Sequence, residues 1–224
     1  MTRPDRKPLR RGATAGPPPH EAASAQLRFI RDAMERSARF TAVPGWGGVA
    51  MGVTALGAAW LAAQQPTPSE WLRVWAGEAV VGVILGLVFL IRKAQASGLD
   101  LRVGQGRKFL LGLAPALLTG VALTLAVYGF DVGPTKEYFV RQGAVEATAS
   151  LRLLPGLWLL CYGVGVISAG MFSVRLVPTM GLGFLGLGLL ALLSPAAWGT
   201  AYLAAGFGGL HVIFGILIAR KHGG

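Results

Sequence analysis

The sequence predicts an all-α integral membrane protein: a six-helix transmembrane bundle with both termini in the cytoplasm, preceded by an amphipathic interfacial helix. Three observations predict it. Only 14% of the 224 residues are charged while 53% are hydrophobic, against about a quarter charged in soluble domains. The charges crowd into the first 43 residues and a few short loops, leaving apolar runs long enough to cross lipid. Lys and Arg are unevenly divided between alternate connections, which sets orientation.

Residues 1–20 combine Pro, Gly and basic side chains with almost no apolar content. Such a segment cannot bury enough surface to offset its ordering entropy, so a disordered cytoplasmic arm is expected. Its charge suits anionic lipid headgroups. In residues 21–43, Leu27, Ile30 and Met34 recur at helical spacing, with Phe29, Ala33 and Phe40 widening the stripe. Arg28–Asp32, Arg31–Glu35 and Glu35–Arg39 are i,i+4 pairs on the polar side. A helix of this kind ahead of a span lies in the plane of the interface; the alternative is a docking helix for a partner.

Pro44-Gly45 ends that pattern and residues 44–224 form the bundle. About 20 apolar residues at 1.5 Å rise cross a ~30 Å hydrocarbon core. That length predicts spans over about 45–63, 71–91, 109–130, 153–172, 176–193 and 201–219. Between the third and fourth, Thr135 caps a short surface helix carrying Tyr138, Phe139 and Val140.

Orientation follows from the cations. Seventeen Lys and Arg fall in the N-terminal arm, the second and fourth connections and the C-terminus, against four in the other connections. The richer side is cytoplasmic. Trp60, Trp71, Trp75, Tyr128, Trp198 and Tyr202 gather near the opposite interface, where amphipathic rings prefer to sit. The net charge of +11 is thereby assigned to topology and lipid headgroups, and no nucleic acid is expected, because no recognition fold accompanies the basic arm. No short apolar run with a cleavage site opens the chain, so the first span is expected to serve as its own insertion signal. Richness in Ala, Gly and Arg points to the bacterial inner membrane.

Gly181, Gly183, Gly186 and Gly188 contain a GxGxxG pattern. A phosphate cradle of that kind needs a strand before it and an acidic residue about 20 positions later. Neither is present, so these glycines are read as helix-packing positions. Gly48 with Gly52, Gly82 with Gly86, and Gly208 with Gly215 carry the same expectation. Pro44-Gly45-Trp46 opens the first span and Pro155-Gly156 with Trp158 opens the fourth. Those spans run oppositely, so a three-plus-three inverted repeat is allowed.

Two ionisable residues lie within spans, Glu78 and His211. Each sits on a face with small residues, and their depths differ by about one turn, so a Glu78–His211 contact is expected. Intramembrane ionisables mark proton or substrate pathways; the competing reading is a polar crosslink between helices. Hydroxyls at Thr54, Thr119, Thr124, Tyr162 and Ser168 either line a polar cavity or are satisfied locally. The lone Cys161 reads as a small core hydrophobe. No HExxH, GxSxG or paired intramembrane carboxylates occur, so no catalytic residue, metal or cofactor is assigned.

The segments MERSARFTAVPGWGGVAMG and GFGGLHVIFGILIARKHGG resemble those of an uncharacterised family of small bacterial six-span membrane proteins. The resemblance supports the span count and implies no activity. The functional expectation is a non-catalytic accessory, sensory or scaffold bundle. The alternative is a small proton-linked transporter or channel, a homodimer, working through Glu78 and His211. A membrane-embedded enzyme ranks third.

Overall fold

The computed structural model describes residues 24, 26–30, 41–98, 100–102, 104–132 and 151–223. Contacts divide the chain into two units, Met1–Ala38 and Arg39–Gly224. In the first, residues 26–30 are helical, with Leu27, Phe29 and Ile30 exposed. The disordered arm over 1–20, most of the amphipathic helix over 21–43 and the surface helix after Thr135 lie outside the described residues.

Among its described residues the second unit holds six helices long and apolar enough to cross a membrane. They are α1 (Gly45–Ala62), α2 (Pro68–Ala96), α3 (Gly104–Val132), α4 (Leu154–Gly170), α5 (Leu176–Leu193) and α6 (Ala196–His222). No strand occurs among the described residues. The count of six matches the spans expected from apolar length. The ends differ most at α6, which runs from Ala196 to His222 rather than over 201–219, and at α2, which runs from Pro68 to Ala96 rather than over 71–91. Thr67 caps it by accepting the Glu70 amide at 3.3 Å, and Pro68 sits at its first turn, where proline costs no hydrogen bond. At the other end the helix continues through Arg92 and Lys93 until Gly98, at φ 64°, turns the chain. Apolar length locates a span, and caps set the termini of α2.

Glycine decides which helices touch. On α1, Gly45, Gly48 and Gly52 face Gly208, Gly215 and Ala219 of α6. A methyl group added at Gly215 would lie 2.7 Å from the Val49 amide nitrogen, and one at Gly52 would lie 2.7 Å from the Gly208 carbonyl oxygen. The α4–α5 pair is equally close: a Cβ on Gly181 would sit 2.9 Å from the Gly163 carbonyl, and one on Gly188 would meet Leu160. Gly112 brings α3 onto Ala169 of α4, and Gly86 of α2 receives the Met51 sulfur. Gly183 faces Leu210 of α6.

Two glycines expected on packing faces do not pack. Gly82 and Gly186 have nothing within 4 Å of an added Cβ. At roughly 100° per residue, Gly181 and Gly188 share one face of α5 and Gly183 points the opposite way. Gly186 falls between those directions, where no helix stands. A sequence stripe places small residues on a line; it does not supply the neighbour.

The bundle has a basic end, where Lys93, Arg175 and Arg220 lie, and an aromatic end, where Trp71, Trp158 and Trp198 lie. At the basic end the Lys93 ammonium donates to the carbonyls of Val43 (2.9 Å), His222 (3.2 Å) and Gly223. It ties the entry to α1 and the close of α6 to α2. Hydrogen bonds from a charged donor are worth about 1.5–3 kcal/mol each when shielded, and less when half-exposed. Lys93→Met is therefore expected to cost ~1–2 kcal/mol, read as a lower unfolding midpoint in detergent, with Lys93→Arg recovering part of it. An unchanged midpoint for Lys93→Met would show that the clasp carries no stability.

Candidate functional site

The residues with polar chemistry inside the bundle fall into three groups, and the first is built on an irregular stretch of α6. Residues Ala204–Leu210, sequence AAGFGGL, form a π-helical segment before the α-helix resumes at His211. Its three glycines hold an α-helix weakly, and such widened turns recur at functional positions. His211 is 4% exposed. Its Nδ1 lies 2.9 Å from the Phe207 carbonyl and its Nε2 lies 2.8 Å from the Tyr162 hydroxyl. A carbonyl only accepts, so Nδ1 carries the proton; in the neutral ring Nε2 then accepts from Tyr162.

Aromatic rings surround that imidazole. Phe184, fully buried, meets it edge-on at 5.3 Å; Tyr162 lies at 5.3 Å and Phe207 stacks at 6.2 Å and 15°. Phe184 and Phe207 also flank the Tyr162 ring at 4.7 and 5.2 Å. Both ring nitrogens are satisfied and the walls are apolar. The imidazole is a cross-tie from α6 to α4.

The second group joins α1 to α2. Glu78 is half-buried, and its Oε1 accepts the Thr54 hydroxyl at 2.8 Å. The Thr54 oxygen also lies 2.9 Å from the Met51 carbonyl and 3.3 Å from that of Ala50. One hydroxyl proton therefore faces three acceptors.

The expected contact between Glu78 and His211 is not made: no hydrogen bond or ion pair joins them. The reason is an intervening helix. The Gly208–Gly215 face of α6 packs on α1, so α1 stands where Glu78 was expected. Residue 211 lies about 60° around α6 from residue 208, and its ring turns instead toward α4 and α5. Equal depth and small neighbours describe two inward faces without stating what lies between them.

The third group is the aromatic end. The Trp71 and Trp158 rings stack at 5.8 Å and 3°. Trp71 Nε1 donates to Thr200 at 2.9 Å, and Trp158 Nε1 donates to Thr124 at 2.8 Å. Trp75 leans on Trp71 at 6.4 Å; it is 3% exposed and its Nε1 has no partner among the described residues. One stack thereby links α2, α3, α4 and α6. Trp71 and Trp75 were expected at an interface, where rings are half-solvated, yet Trp75 is core. Trp158 drew notice only for its place after Pro155-Gly156, since a partner 87 positions away leaves no local trace.

No group of three His, Cys, Asp or Glu that could hold a metal occurs among the described residues. Cys161 is half-buried. With the tyrosine–histidine tie and the threonine–carboxylate tie in separate helix pairs, the polar groups described do not converge on one reacting point. No family model, curated protein or solved structure matches the chain.

Proposed function

We propose that the protein is a non-catalytic accessory, sensory or scaffold bundle of the bacterial inner membrane, with its termini in the cytoplasm. Its intramembrane polar residues act chiefly as ties between helices. The observation that carries this reading is His211, satisfied on both ring nitrogens inside an aromatic box and separated from Glu78. A relay residue needs an approach for water or substrate, and this imidazole has none among the described residues. The cation asymmetry supports the orientation, and the basic arm suits anionic headgroups.

A second reading, a proton-linked transporter or channel working as a homodimer, now rests on Glu78 alone. It is favoured by the Thr54 geometry. A deprotonated Glu78 accepts from Thr54; a protonated one donates to the Thr54 oxygen while the hydroxyl proton turns to Met51. Both states are accommodated without moving a helix.

Proton uptake into proteoliposomes separates the two. The scaffold reading expects the wild type to match protein-free vesicles within error under an imposed pH gradient. A wild-type flux at least about tenfold above background, lost in Glu78→Gln while the variant stays folded, would replace it with the transport reading.

A further inference from the structure

Two unmet hydrogen-bonding needs lie one turn apart on α2. The Trp75 indole N–H is buried and has no acceptor among the described residues. A buried donor left without a partner is costly, and native proteins carry few of them. Three positions on, Glu78 accepts from Thr54 through Oε1, while its Oε2 has no hydrogen bond among the described residues. One group lacks an acceptor and its neighbour has an acceptor to spare.

Helix geometry brings the two within reach. Residues three apart on a helix have Cβ atoms about 5–6 Å from each other. Helical side chains also lean toward the N-terminus, so Glu78 leans over the turn that carries Trp75. The other neighbours offer no donor. Val74, Val81 and Gly82 of α2, and Met51 and Ala58 one turn either side of Thr54 on α1, have no polar side-chain hydrogen.

The observed arrangement suits a neutral carboxyl, which a single hydroxyl partner satisfies. An ionised carboxylate demands more. It accepts at two oxygens with about four lone-pair sites, and a hydrocarbon layer holds no water to fill them. We propose that Trp75 is the second donor to ionised Glu78. On losing its proton the carboxylate keeps Thr54 on one oxygen and takes the Trp75 indole N–H on the other; when the proton returns, the indole is released.

The indole cannot turn alone. Trp75 leans on Trp71 at 6.4 Å, Trp71 stacks on Trp158 at 5.8 Å and donates to Thr200, and Trp158 donates to Thr124. A rotation of the Trp75 ring toward Glu78 is therefore felt where α2, α3, α4 and α6 meet. The charge of one carboxylate is coupled to the packing of four helices, as a protonation sensor requires. This contact goes beyond both readings of function, since no proton has to cross the membrane.

The other titratable groups around this face are distant or engaged elsewhere. α1, which packs along α2, has no ionisable residue between Gly45 and Ala62. On α2 itself, Glu70 and Arg73 pair at 3.8 Å near the aromatic end, and Arg92 and Lys93 stand about 20 Å along the axis in the other direction. α4 and α6 reach α2 through Trp158 and Thr200 and carry Cys161, Tyr162, Tyr202 and His211. The Tyr162 hydroxyl faces His211 and that of Tyr202 faces Ser194. Cys161, the single thiol, is taken out of the test by Cys161→Ala.

Nitrogen-15 indole NMR of the protein in nanodiscs reads the contact. Six tryptophans give six indole N–H signals, and that of Trp75 is the one lost in Trp75→Phe. Hydrogen bonding to a carboxylate moves an indole proton downfield. In the Cys161→Ala background the Trp75 signal is expected to move downfield as pH is raised, further than any other indole signal, and to stay in place in Glu78→Gln. Glu78→Met takes the place of Glu78→Gln where the latter does not fold. A Trp75 signal fixed across the whole pH range in which the protein is folded, or one that moves equally without the carboxylate, would overturn the proposal. Proton uptake into vesicles is a separate measurement, so the contact and the transport reading fail independently.

Discussion

Gly215→Val is expected to leave no stable bundle, whereas Gly82→Val is expected to behave as the wild type. Overpacking ordinarily costs about 1–3 kcal/mol because neighbouring side chains can yield. At Gly215 the obstacles are backbone: an added Cβ lies 2.7 Å from the Val49 nitrogen and 2.8 Å from the Gly45 oxygen. Relief requires α1 and α6 to separate along their shared glycine faces, so a loss above ~3 kcal/mol is expected. At Gly82 nothing stands within 4 Å, and a change of less than about 0.5 kcal/mol follows. Gel filtration and thermal unfolding in one detergent test both. A Gly215→Val protein that elutes and melts with the wild type would remove the α1–α6 interface from the account.

The second large effect is expected at His211. Replacing it with Phe strands the Tyr162 hydroxyl among Phe184 and Phe207, and an unsatisfied buried donor costs about 1–3 kcal/mol. Tyr162→Phe strands Nε2 in turn. With both replaced, neither group is left wanting, so the double variant should be more stable than the two single losses predict, by about 1 kcal/mol or more. The quantity to measure is that coupling, from denaturant unfolding of all four proteins in detergent. Strictly additive losses would mean that the hydroxyl and the imidazole do not depend on each other.

The span count was legible because crossing a hydrocarbon layer requires a run of apolar residues of nearly constant length, and the chain writes that requirement six times. The glycine faces were half legible. Gly48, Gly52, Gly208 and Gly215 pack as their spacing implies, yet Gly82 and Gly186 share the spacing and touch nothing. Spacing reports a helix face; only the arrangement of helices tells whether that face has a neighbour. The same distinction governs the polar residues. Glu78 and His211 were identifiable as the ionisable pair within the spans, but their true partners, Thr54 and Tyr162, were visible only as hydroxyls with two readings. The Trp71–Trp158 stack was not foreseeable, because it depends on where α2 and α4 meet, and no periodicity encodes that. The π-helical stretch left a faint trace in the glycines of AAGFGGL, since poor helix formers permit an irregular turn without demanding one.

The close fit of α1 to α6 has a consequence for biogenesis. While the ribosome is still translating the middle of the chain, α1 has already left the translocon, and its glycine groove has no occupant until α6 is made. During that interval lipid or an insertase must shelter the groove. A ribosome stalled after α5 would therefore release a product whose earliest segment is its least settled, which quality-control proteases would be expected to clear first.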